Sequence, residues 1–160
     1  MIGIVLGNGP SKRLYNRSGD IVIGCNIPTK EISIDATVIC DEEIAWILKN
    51  NLTLVDVPVI ISTKVFEKFK EFKIEQHFDI LKVFKPKDWH NAAHYAAEYL
   101  IELECDEIYL WGCDSIFEDD IRSTTPGNKN DPRFHSKWRQ VWNNIYLNTS
   151  ARIVAMRLPK

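Results

Sequence analysis

No apolar run in the sequence approaches the roughly 18 residues that a membrane-crossing helix needs. Charge of one sign is missing too: 20 Lys and Arg stand against 22 Asp and Glu, a net charge of −2. That balance argues against general binding to nucleic acid or an anionic membrane. No C-x-x-C pair occurs among Cys25, Cys40, Cys105 and Cys113, which disfavours a metal or redox motif and leaves buried free thiols as the expectation. No G-x-x-x-x-G-K-[ST] loop is present, nor any internal repeat. The start, Met1-Ile2-Gly3-Ile4-Val5, has no basic lead before its first strand, and the chain reads as cytoplasmic.

What is there is an α/β pattern. The 160 residues suit a single domain. Near-continuous Val- and Ile-rich runs recur at Ile2–Leu6, Ile21–Gly24, Ala36–Cys40, Val57–Ile61, Phe78–Phe84, Glu107–Gly112 and Arg152–Leu158. Such runs fit strands covered on both faces. Helical spacing is clearest over Asp88–Glu104, with Asp88 as a candidate N-cap, and over Ser136–Asn148, with Ser136 in that role. Weaker helices fit Glu42–Lys49 and Thr63–Lys73. The expectation is a three-layer domain over residues 1–160, with a mostly parallel sheet of about six or seven strands and ligands at the strands' carboxyl ends.

The residues that follow the strands are therefore the informative ones. Gly7-Asn8-Gly9-Pro10-Ser11 ends the first run; its glycines allow close backbone approach, and Pro10 can open a helix whose amides face an anion. A third glycine is absent, with Lys12 in its place, so the dinucleotide fingerprint is incomplete. Asp41 and Asp114 each follow a strand and could hold Mg²⁺ or ribose hydroxyls; no other cofactor is called for, and Asp41 also suits a helix cap. His90 and His94 share a helix side but lack the glutamate of an H-E-x-x-H site, so no metal site is assigned. Trp138 and Trp142 lie on one apolar stripe, suited to core packing or a homo-oligomer interface. The long polar stretch Glu118–Arg133 suggests a loop or lid at 118–135, with Arg122, Lys129 and Arg133 available to neutralise a phosphate.

Taken together, the Gly-Asn-Gly-Pro-Ser turn, the strand ending Cys25-Asn26, the Gly112-Cys113-Asp114 strand end and Phe134-His135-Ser136-Lys137 resemble motifs of bacterial sialyltransferases that use CMP-sialic acid, and of related Rossmann-like proteins. The resemblance covers most of the chain in sparse patches. It implies a Rossmann-like fold and a nucleotide or nucleotide-sugar ligand contacted by Gly7, Asn8, Gly9, Ser11, Asn26 and Asn91. It also implies a small glycosyltransferase on a CMP-sugar-like donor, with His135 as general base and Asp114 at the catalytic site. Where the family has an arginine before the third helix this chain has Trp89, and no tyrosine occurs between Leu110 and Ile145. The alternative is a nucleotide-binding or assembly protein without turnover.

Overall fold

The structure, a computed structural model, describes residues 1–16, 18–117 and 134–159. The expected lid over Glu118–Arg133, with Arg122, Lys129 and Arg133, lies outside these residues.

All seven apolar runs form strands: β1 (Ile2–Leu6), β2 (Ile21–Cys25), β3 (Ala36–Ile39), β4 (Val59–Ser62), β5 (Ile80–Phe84), β6 (Glu107–Trp111) and β7 (Arg152–Ala155). They make one sheet, ordered β5-β4-β3-β2-β1-β6-β7, in which every pairing is parallel. Among the described residues four α-helices flank it: α1 (Glu42–Asn50), α2 (Thr63–Glu71), α3 (Ala92–Glu102) and α4 (His135–Leu147). The result is the expected three-layer, Rossmann-like architecture.

Strand alternation divides the core between the two faces of the sheet. Val5, Ile23, Val38, Ile60, Ile108 and Leu110 pack with Ala96, Ala97 and Leu100 of α3 and with Val141, Trp142 and Ile145 of α4. Ile39, Val59 and Ile61 point the other way, onto Ile44 and Leu48 of α1 and Val65 and Phe69 of α2. The alanines of α3 explain how it lies across the sheet centre, and it touches β1, β2 and β3. At the β5 edge the register slips between Val59 and Ile60, and every second residue is exposed. The exposed residues of this strand are Leu81 and Val83, while Lys82 pairs with Glu102 of α3.

Helix starts depart from the expected caps. Asn91, not Asp88, caps α3: its Oδ1 accepts from the His94 N–H at 3.2 Å, while His94 Nδ1 accepts from the Asn91 N–H at 2.9 Å. Ser136 lies inside α4, which begins at His135 without a side-chain cap. Asp41 precedes α1 but makes no capping bond. Ser62 caps α2, accepting from the Val65 N–H.

Candidate functional site

The chain runs outward from β1 to β5 and then crosses back, so β6 adds on the far side of β1. Such a reversal parts the loops above the sheet, and a crevice opens at the strands' carboxyl ends. A cleft of about 680 Å³ lies there, with Gly7, Asn8, Gly9, Asn26, Asp41, Asn91 and Asp114 in its wall. The strand-end residues singled out from the sequence are thus gathered in one place. Ser11 and His135 are not among the lining residues.

The floor is an interlock between the turns after β1 and β6. Gly7 N–H donates to Trp111 O, and Gly9 N–H to Gly112 O, both at 2.7 Å. Ser11 is wholly buried; its N–H and its hydroxyl donate to Asp114 Oδ1 at 3.0 and 2.8 Å, and its oxygen accepts from the Gly112 N–H at 2.8 Å. A Cβ on Gly9 would stand 2.5 Å from Asp114 Oδ1 and 2.7 Å from Gly112 O; one on Gly7 would stand 2.6 Å from Gly112 O. Gly112 has φ +73°, a left-handed conformation suited to glycine.

These contacts correct the expected role of the turn. The amides of Gly7, Gly9 and Ser11 are taken up by the neighbouring turn, so they do not form an anion cradle. The glycines are required by the protein's own backbone. Ser11 is a structural residue rather than a ligand contact. Asp114 reaches the cleft wall but accepts through both oxygens from Ser11, Oδ2 at 3.2 Å from its N–H, which makes it a positioning group for the turn.

Asn8 is held at both ends of its amide: Nδ2 donates to Cys25 O at 3.0 Å, and Oδ1 accepts from Lys12 Nζ at 3.0 Å. The lysine in the place of the missing glycine is therefore a buried brace, and burial pushes its ammonium below the usual lysine range. Asn26 contrasts with Asn8. It is left-handed at φ +60°, its main-chain N–H donates to Val38 O and its carbonyl accepts from the Thr37 hydroxyl, but its buried Oδ1 has no hydrogen-bond partner. A buried acceptor left unpaired costs about 1–3 kcal/mol.

The histidines are accounted for locally. His94 is wholly buried, and its Nε2 donates to Trp138 O at 3.1 Å while Nδ1 serves the capping box, which fixes the neutral tautomer. Burial, with His90 adding, pushes its pKa down to about 3. His90 Nδ1 faces Asp88 O and its Nε2 lies 3.3 Å from Glu98. Neither ring is arranged to share a metal, and no cluster of three metal-binding side chains exists among the described residues. His135 is also wholly buried at the start of α4, its ring 5.2 Å from that of Trp138. Its ring is thus not part of the described cleft wall.

The mouth joins Asp41, expected at the ligand end, to residues the sequence reading did not place there. The exposed residues Asp41, Glu42 and Glu43 line its rim, and Lys64 of α2 lines the same cleft. Desolvation, with Glu43 adding, raises the Asp41 carboxyl above its ordinary value. Trp89, Phe134 and Trp138 line the same cleft, and Trp142 is buried behind them against His94. Trp89 has φ +62°, rare for a bulky side chain. In the sequence it stands out only as the residue in the place of the family's arginine. Cys25, Cys40 and Cys113 also line the cleft as free thiols, with Cys25 pushed up to about 12 by burial.

No helix among the described residues is long and apolar enough to cross a membrane. No family model matches the chain, and comparison with curated proteins and with solved structures gives no match.

Proposed function

We propose that this is a cytoplasmic protein that binds a nucleotide or nucleotide-sugar in the cleft above β1, β2 and β6, as a small glycosyltransferase on a CMP-sugar-like donor would. The observation that carries the reading is the buried Asn26 Oδ1, unpartnered in the wall of a strand-end cleft. A base amino group or a ribose hydroxyl would supply the missing donor. The cleft volume suits a ligand of that size. Asp41, whose side chain makes no capping bond, is a lining carboxylate able to meet ribose hydroxyls or Mg²⁺, and Lys64 brings positive charge for a phosphate.

A second reading, binding without turnover, is favoured by His135. A general base must come within hydrogen-bond reach of its proton, and here the imidazole lies outside the cleft wall.

Melting temperature against CMP, CDP, UDP, GDP, ATP, NAD and CMP-sialic acid, with and without Mg²⁺, tests the proposal. A ligand at 100 times its Kd should raise Tm by about 5–10 °C. No shift with any nucleotide overturns it. Given a shift, release of CMP from CMP-sialic acid that is lost in His135→Ala supports the transferase; stabilisation without release supports the binder.

A further inference from the structure

Two sets of residues that line the cleft differ in chemistry. Trp89 is about half exposed, its ring centroid 5.6 Å from that of Phe134, with Lys137 Nζ 5.6 Å from its own centroid. Phe134 is in turn 6.3 Å from Trp138. A tryptophan held left-handed in the last turn before a helix costs conformational energy that a simple surface position does not require. Asp41, Glu42 and Glu43 belong to the same cleft, as does the buried, unpartnered Oδ1 of Asn26. The mouth therefore offers flat aromatic faces and hydrogen-bond acceptors together. Its lining charge among the described residues is mainly negative, with Lys64 as the lining lysine and Lys137 on the Trp89 ring.

We infer that the mouth is a subsite for an uncharged pyranose ring, which stacks on Trp89 and donates hydroxyl hydrogens to the Asp41–Glu43 rim, and that it discriminates against sugars bearing a carboxylate. The apolar C–H face of a pyranose meets the negative face of an aromatic ring favourably. Carboxylates accept strongly from vicinal hydroxyls, whereas a sugar carboxylate brought beside them meets like charge. This rests on the proposed nucleotide-sugar reading and narrows it, because it disfavours an acidic sugar such as sialic acid.

The test uses ligand-observed NMR on the whole protein with methyl glucoside, methyl N-acetylglucosaminide and methyl glucuronide, alongside CMP, UDP, UDP-glucose and UDP-glucuronate. The inference expects the neutral glycosides to bind at least tenfold more tightly than the glucuronide, alone or as the nucleotide conjugate. Trp89→Gly, compatible with the left-handed backbone, should abolish sugar binding, and Trp89→Phe should retain most of it. Asp41→Asn with Glu43→Gln should bring the glucuronide within about threefold of the glucoside. Equal binding of neutral and acidic sugars, or sugar binding unchanged in Trp89→Gly, overturns the inference. So does UDP binding with no contribution from any sugar, which leaves the nucleotide reading standing. Neutral glycosides bound in the absence of any nucleotide binding would instead uphold the subsite and remove the nucleotide reading. Binding of nothing in the set overturns the inference outright.

Discussion

The Ser11 hydroxyl donates to Asp114 Oδ1 and accepts from the Gly112 N–H, both at 2.8 Å, tying the turn after β1 to the turn after β6 across a separation of about 100 residues. Every side of this small network is buried. Removing one member leaves donors with no water to replace it.

Asp114→Ala should accordingly destabilise the fold by about 2–3 kcal/mol and Ser11→Ala by about 1–2 kcal/mol. Because they share bonds, the double variant should lose clearly less than the sum. Urea denaturation of the four proteins checks this; additive losses would show that the two residues act independently.

Gly9 gives a sharper contrast between a ligand role and a structural one. Its Cβ position falls on Asp114 Oδ1 and Gly112 O, so Gly9→Val should fail to fold or melt far below the wild type, and Gly9→Ala should lose about 2 kcal/mol or more. A Gly9→Val protein with wild-type Tm and reduced nucleotide affinity would instead make the glycine a ligand-clearance position. Circular dichroism melting decides between them.

At Asn26 the expected balance is reversed. Asn26→Gly keeps the left-handed backbone open and removes the unpartnered amide. Stability should stay within about 1 kcal/mol, while affinity for the stabilising nucleotide should fall at least tenfold, as expected for losing a buried hydrogen bond. Calorimetric titration together with a melt measures both quantities, and unchanged affinity would remove Asn26 from the site.

His94 sets a pH dependence. Its folded pKa of about 3 lies below the ordinary value of 6.5, so between the two the unfolded chain binds a proton that the folded chain does not. The stability contributed is fully present above pH 6.5 and is lost as pH falls toward 3, by on the order of 4 kcal/mol in total. Comparing urea midpoints at pH 7, 5.5 and 4.5, the wild type should lose stability more steeply than His94→Gln. Parallel slopes would mean that the imidazole is not held neutral.

The strands were legible because a sheet covered on both faces needs continuous apolar runs. Helix spacing was equally plain, down to the buried stripe of Val141, Trp142 and Ile145. Caps were less so: Asp88 and Asn91 are both good capping residues, and what selects Asn91 is the reciprocal bond with His94, whose far nitrogen is fixed by Trp138 in another helix. The site shows the same limit. A glycine that admits a ligand and a glycine that admits another backbone look alike in sequence. Only the pairing of β1 with β6 reveals that Gly112 occupies the space beside Gly7 and Gly9. Trp89 was visible as a replacement for an arginine, but its part in the cleft depends on Phe134 and Lys137 arriving from α4 and its leading residue.

The order of strands also bears on how the molecule assembles in time. β1 is synthesised about a hundred residues before its partner β6. The β2–β5 side of the sheet, built by successive neighbours, can consolidate while synthesis continues, whereas closing the β1–β6 pair requires a long-range loop closure that slows folding. The cleft floor, made of the turns after those two strands, cannot be completed before β6 has been made, and an arrested nascent chain ending before Glu107 would carry the sheet's growing half without that floor.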